Sequence, residues 1–198
     1  MNVSFWLAYF SLSQSSVTST RVTPLLTIDE WIPFWPGAAP VYLSQFLTLP
    51  MLILLIDSRD ELLAFFLATA LLSAFCFLLF ALVPTEMPRP ESSLAQHYYF
   101  YGWIAANDTT RNAFPSLHAG FGMLSSALAL RVFGSWRNAK ALCVASWTMT
   151  CAVLIAALVI KQHSVSDILA GCGIGALIAR QMLRAPEKAA ILCCEEAA

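Results

Sequence analysis

Residues 62–83, LLAFFLATALLSAFCFLLFALV, run without a single charge. About 20 such residues are what a helix needs to cross the hydrocarbon core of a bilayer. Residues 141–160, ALCVASWTMTCAVLIAALVI, meet the same requirement. Residues 39–56, 115–133 and 165–183 are shorter or more interrupted but still apolar enough to count as spans. In lipid every backbone polar group must be satisfied internally, so such runs are helices. The expected fold is therefore all-α: a polytopic membrane helix bundle with five clear transmembrane helices. The N-terminal VSFWLAYFSL is too short to cross alone and has no basic residue before it, which makes it a poor signal peptide. It reads either as a short sixth helix or as one lying in the interface.

Composition agrees. The chain is 59% hydrophobic and only 12% charged, where a soluble domain carries about a quarter charged residues; its mean hydropathy is +0.69. No polar linker divides it, so residues 1–198 form a single membrane-embedded domain with a core at about 28–180. The net charge of −1 gives no reason to expect nucleic acid. Four of the six cysteines, Cys76, Cys143, Cys151 and Cys172, lie in apolar runs as small hydrophobes. Cys193 and Cys194 read as two tail thiols, with lipidation as the alternative.

Lys and Arg set the orientation. One side holds Arg59, Arg131, Arg137, Lys140, Arg180, Arg184 and Lys188; the other holds Arg21, Arg89, Arg111 and Lys161. The positive-inside rule makes the first side, with the C-terminus, cytoplasmic, in a multi-pass protein of the cell membrane. The 31-residue connection from 84 to 114 then faces away from the cytoplasm. Within it, HYYFYGW at 97–103 reads as an aromatic belt at headgroup level, compatible with a surface helix that guides a lipid into a site; His97 belongs to that belt. The NDT sequon at 107–109 matters only in a glycosylating pathway. Gly171 and Gly175 in GCGIG are four apart inside an apolar helix, a spacing for close helix packing and not a phosphate loop.

Three helix ends on the non-cytoplasmic face carry Arg89, Arg111, Ser116, His118, Lys161, His163 and Asp167. Ionisable groups near the membrane are costly and usually functional. His163 and Asp167 stand at i and i+4, so on a helix they share a face. The carboxylate can then hold one imidazole nitrogen as N–H and leave the other free to attack. His118 supplies or removes a proton. Arg89, Arg111 and Lys161 are fixed positive charges suited to phosphoryl oxygens. Pro115 and Ser116 read as a helix start, whose free N–H groups bind anions. The set fits a phosphate site that needs no metal and no cofactor. The competing metal reading, with His118, His163 and Asp167 as ligands, is disfavoured by the neighbouring positive charges.

These residues carry a resemblance. PRP at 88–90, PSLH at 115–118 and HSVSD at 163–167 resemble the three signature motifs of the type 2 phosphatidic acid phosphatase superfamily. The forms PT..PRP, FPSLH and KQH...D, with IDEWIPFWP at 28–36, look closest to its lipid phosphotransferase branch, which includes inositol phosphorylceramide synthases. The resemblance implies that His163 forms a phosphohistidine, that Asp167 orients it and that His118 protonates the leaving oxygen. It implies that Arg89 and Ser116 bind phosphate. Two basic positions of the family pattern are Leu82 and Ala157 here, so Lys161 and Arg111 are expected to substitute for them. The expected function is a lipid phosphatase that hydrolyses a phosphomonoester or pyrophosphate of a lipid through a phosphohistidine. The alternatives are headgroup transfer and a non-catalytic membrane protein that keeps the fold. The expected partners are a lipid phosphate substrate and the bilayer. Phosphatidic acid, phosphatidylglycerol phosphate, a polyprenyl pyrophosphate and a lipid A phosphate all stay open as substrates.

The orientation is checked by thiol labelling in intact cells. In otherwise cysteine-free protein, Ser92→Cys should react with an impermeant thiol reagent and Gly134→Cys should not; the reverse pattern overturns the topology.

Overall fold

The computed structural model describes residues 5, 7, 9, 11, 20–90, 97–133 and 138–183. The chain is a helix bundle of the kind an apolar sequence must form in lipid. A short strand β1 (Arg21–Val22) leads to helix α1 (Thr27–Trp31), a 3₁₀ turn at Pro36–Ala38, and helices α2 (Ala39–Leu43) and α3 (Gln45–Leu54). Then come α4 (Arg59–Leu82), strand β2 (Thr85–Glu86), α5 (Tyr99–Asn107), α6 (Leu117–Phe133), α7 (Ala139–Val159) and α8 (Val165–Met182).

Among the described residues four stretches are long and apolar enough to cross a membrane: Pro36–Leu54, Arg59–Leu82, Ala139–Val159 and Val165–Met182. The fifth expected span, α6, has 17 residues. At 1.5 Å per residue that is about 26 Å, a little short of the hydrocarbon core. It is the central helix, with 11 of its residues buried, packed against α3, α4, α7 and α8. The outward face of α4 is the opposite case, with Leu63, Phe66, Leu67, Leu71, Phe75 and Leu78 exposed. A row of that size on a soluble surface would be an aggregation hazard, so it is a lipid-facing one. The N-terminal segment lies largely outside the described residues, but positions 5, 7, 9 and 11 are helical. Phe5 packs on Phe77 and Phe121.

Local chemistry explains the helix ends. Ser58 caps α4 by accepting from the Glu61 N–H, with Asp60 and Glu61 in the first turn, where the helix dipole favours negative charge. Ser164 and Asp167 form a reciprocal capping box at the start of α8. At the end of α7 the N–H groups of Lys161 and Gln162 bond back to the carbonyls of Leu158 and Ala157. That is a Schellman ending, and it places Lys161 at a φ of 56°, where glycine is usual.

The closest helix pair is α6 with α8. A Cβ added to Gly171 would overlap the Ser116 carbonyl oxygen, and one added to Gly175 would come within 2.6 Å of the Gly120 carbonyl oxygen. The expected role of Gly171 and Gly175 in close packing is what these positions do. Thr150 on α7 adds a polar clasp, bonding Ser126 Oγ at 2.9 Å in the buried interface.

Gly171→Ala should therefore overpack the α6–α8 contact and cost about 1–3 kcal/mol, read as a lowered Tm in detergent. Gly173→Ala meets nothing within 4 Å and should be neutral or slightly stabilising. Equal effects of the two would refute the packing assignment.

Candidate active site

β1 and β2 pair in parallel, Arg21 with Thr85 and Val22 with Glu86. This fixes the start of the 84–90 segment beneath the N-terminal strand. Thr85 then holds the loop that precedes α6: its Oγ1 accepts from the Phe114 N–H at 2.9 Å, and Met87 N–H donates to the Thr110 carbonyl at 3.0 Å. The 108–114 backbone so positioned carries the Ala113 carbonyl to His163.

His163 precedes α8 and is 7% exposed. Its Nδ1 lies 3.0 Å from the Ala113 carbonyl oxygen. A carbonyl only accepts, so Nδ1 carries the proton and the neutral ring has its lone pair on Nε2. His118 opens α6 with its ring stacked on Tyr42, centroids 4.4 Å apart, and edge-on to Phe46 at 5.6 Å. Its Nδ1 is 3.3 Å from Tyr42 Oη; the hydroxyl donates there to a neutral ring and accepts from a protonated one. The ring's Nε2 is buried and has no partner among the described residues. The two imidazole centroids are 6.1 Å apart. His163 offers a lone pair, and His118 keeps an unpartnered Nε2.

Asp167 does not sit as the i+4 reading expected. His163 lies before the helix and not on its face, because α8 begins at Val165. The Asp167 carboxylate is fully buried; Oδ1 accepts from the Thr23 hydroxyl and Oδ2 from the Ser164 N–H at 2.8 Å. Oδ2 is 3.8 Å from His163 Nδ1, beyond hydrogen-bond range. The main-chain carbonyl of Ala113 holds the ring in place of the carboxylate.

The four residues expected on phosphate are arranged differently. Arg89 donates to the Asp108 and Thr109 carbonyls at 2.7 and 3.0 Å and to Gln162 Oε1 at 2.7 Å. Lys161 Nζ donates to the carbonyls of Asp29 and Ile32 at 2.9 and 2.7 Å, tying the end of α1 to the Schellman turn. Ser116 is buried; its Oγ accepts from the Ala119 N–H and its own N–H donates to the Asp167 carbonyl. Arg111 bridges Glu86 through the backbone. Leu82 is 68% exposed at the end of α4 and Ala157 is buried.

A cavity of about 490 Å³ takes in both histidines. Its lining includes the polar Asp108, Asn112, Tyr9 and Gln45 and the apolar Leu49, Ile53 and Phe121. None of Arg89, Arg111, Ser116 and Lys161 lines it. Burial pushes the Asp108 carboxyl above its usual range, against the pull of Arg89 beside it. Among the described residues no three His, Cys, Asp or Glu side chains converge as a metal-binding group.

Helix ends with a PRP segment, a PSLH turn and a KQH turn, bringing two histidines to one membrane cavity, have a counterpart among known families. The model of the PAP2 superfamily matches residues 61–190. This chain belongs to the PAP2 superfamily. No curated protein and no solved structure matches it. PAP2 membership supports a phosphatase or a related lipid-modifying function for a membrane protein.

Part of this PAP2 site lies outside the matched residues. Thr23 and Asp29 are both buried; Asp29 accepts from the Val165 N–H at 2.8 Å and from the Leu26 N–H at 2.8 Å. Sequence reading passed over them, as it did Tyr42, Gln45 and Asp108. A Gln within an apolar span and an Asp in the long loop were the signals available for the last two.

Thr23→Val removes the hydroxyl from a fully buried carboxylate. The cost should be about 1–3 kcal/mol of stability, measured as Tm, with Thr23→Ser restoring most of it. A Tm unchanged in Thr23→Val would rule out that hydrogen bond as a support of the site.

Proposed function

We propose that this protein is an integral membrane enzyme that cleaves a phosphate ester of a lipid through a phosphohistidine on His163. The observation that carries this reading is the placing of two imidazoles 6.1 Å apart at one cavity. Ala113 holds His163 with its lone pair on Nε2, and His118 stands beside Tyr42 with its Nε2 unpartnered. A nucleophile and a general acid are thereby provided without a metal.

The chemistry follows from the placement. His163 Nε2 attacks phosphorus while His118 gives its proton to the departing lipid oxygen. His118, now neutral, takes the proton of a water that cleaves the phosphohistidine. Asp167, 3.8 Å from Nδ1, stabilises the positive charge that develops on His163 during attack. Arg89 holds the 108–109 backbone, and with it the Ala113 carbonyl, in register with Gln162 beside the nucleophile. Hydrolysis and transfer to an acceptor alcohol share this intermediate and differ in what reaches it next. The many apolar lining residues support a lipid substrate, and the charge bias of the loops supports a site that opens on the non-cytoplasmic face.

Division of labour between the histidines tests the reading. His163→Ala should reduce turnover of an aryl phosphate to background, because no covalent intermediate can form. His118→Ala should lose about 100- to 10,000-fold on an alkyl ester but keep measurable activity on a nitrophenyl ester, whose leaving group needs no proton. Activity surviving in His163→Ala and absent in His118→Ala would reverse the roles; full activity in both would remove the enzyme assignment.

A further inference from the structure

Tyr42, Gln45 and Phe46 stand at i, i+3 and i+4 across the joint between α2 and α3. Ser44 at that joint keeps helical angles, φ −60° and ψ −20°, so the three side chains share one face. All three turn to His118. The Tyr42 ring stacks on the imidazole with centroids 4.4 Å apart, and Phe46 meets it edge-on at 5.6 Å. Gln45 Nε2 donates to the His118 carbonyl at 2.9 Å. Tyr42 Oη lies 3.3 Å from His118 Nδ1. This cradle lies outside residues 61–190, which the family model matches.

The three contacts differ in what they can do to a proton. Phe46 has no hydrogen-bonding side-chain atom, and Gln45 reaches only the main chain of His118. The Tyr42 hydroxyl is both donor and acceptor. It donates to an Nδ1 that holds a lone pair and accepts from one that holds a proton, so the contact survives a change of charge. The Ala113 carbonyl at His163 can only accept. On His118, Nδ1 is thus occupied in both states. Nε2 is the nitrogen without a partner, on a ring that lines the cavity.

We propose that Tyr42 is a positioning residue for His118: its hydroxyl holds Nδ1 through the protonated and the neutral ring, and so confines proton exchange to Nε2. This rests on the reading of His118 as the general acid. In the first step the bond from phosphorus to the lipid oxygen breaks as the bond to His163 Nε2 forms. The proton on His118 Nε2 passes to that oxygen, and the ring is left neutral with Nδ1 still at Oη. In the second step a water oxygen attacks phosphorus and the P–N bond breaks. His118 Nε2 takes the water's proton, and the ring regains its starting charge. Tyr42 neither gains nor loses a proton over the cycle.

Tyr42→Phe keeps the stacked ring and removes the hydroxyl. With isotope-labelled histidine in the purified full chain in detergent, nitrogen NMR should show the His118 Nδ1 signal moved in Tyr42→Phe and the His163 signals in place. Turnover gives a second readout. Tyr42→Phe should lower kcat on an alkyl phosphate about tenfold, part of the loss of about 100- to 10,000-fold that removing a general acid brings, and change kcat on a nitrophenyl phosphate by less than about twofold. Added to His118→Ala, it should alter neither rate by more than about twofold, because the two side chains act as a unit. A loss shared equally by both esters would make Tyr42 merely structural and overturn the proposal. So would an unmoved Nδ1 signal, or a further loss on top of His118→Ala. An alkyl-ester rate untouched by His118→Ala would sink the general-acid reading itself, while a moved Nδ1 signal would leave the hold of Tyr42 on the ring standing. Fluorotyrosine at position 42 keeps the ring and makes the hydroxyl more acidic; it should move the same signal, and it decides should Tyr42→Phe not fold.

Discussion

The bundle depends on how closely α6 approaches α8. Two glycines of α8 lie against carbonyl oxygens of α6, Gly171 at Ser116 and Gly175 at Gly120. Lipid tails are as apolar as leucine, so helices in a membrane are held by contact and not by hydrophobic exclusion. Backbone-to-backbone contact is the tightest form available. Because His118 opens α6 and His163 directly precedes α8, the approach that packs the helices also brings the rings to 6.1 Å. The Ser116 N–H donating to the Asp167 carbonyl locks the two helix starts at the same level.

Much of this was legible in the sequence, for identifiable reasons. Hydropathy gives spans because backbone in lipid has few options, and the small-residue spacing pointed to close packing by α8 without naming α6 as its partner. The histidines were visible because polar residues at apolar helix ends are rare. Individual partners were not legible. Lys161 reads as a free cation in sequence, but it occupies the left-handed position of a helix ending and reaches carbonyls about 130 residues away. Asp167 reads as the partner of His163 by spacing alone, yet S-x-x-D at 164–167 is also a capping box, and that local use won. A side chain has few hydrogen-bonding atoms, and nearby backbone donors claim them first.

The residues before the first span form a collar over the site. Thr23 binds Asp167, Asp29 caps α8, and the Trp35 N–H donates to the Val159 carbonyl at 2.8 Å. These contacts join positions more than 120 residues apart, so no local pattern announces them. They satisfy buried polar groups at the third motif that would otherwise stand open where α8 begins.

The group that sets the tautomer of His163 is the carbonyl oxygen of Ala113, a main-chain atom. Every residue type supplies the same oxygen. Drift at position 113 can alter the side chain without touching the proton on the imidazole, and an alanine scan passes over the position without a signal. Control of the His163 proton is thereby stored in the path of the chain, where it escapes the genetic code one letter at a time. To reach it, the amide must be replaced by an ester or thioamide, or the 108–114 backbone must be made to run elsewhere.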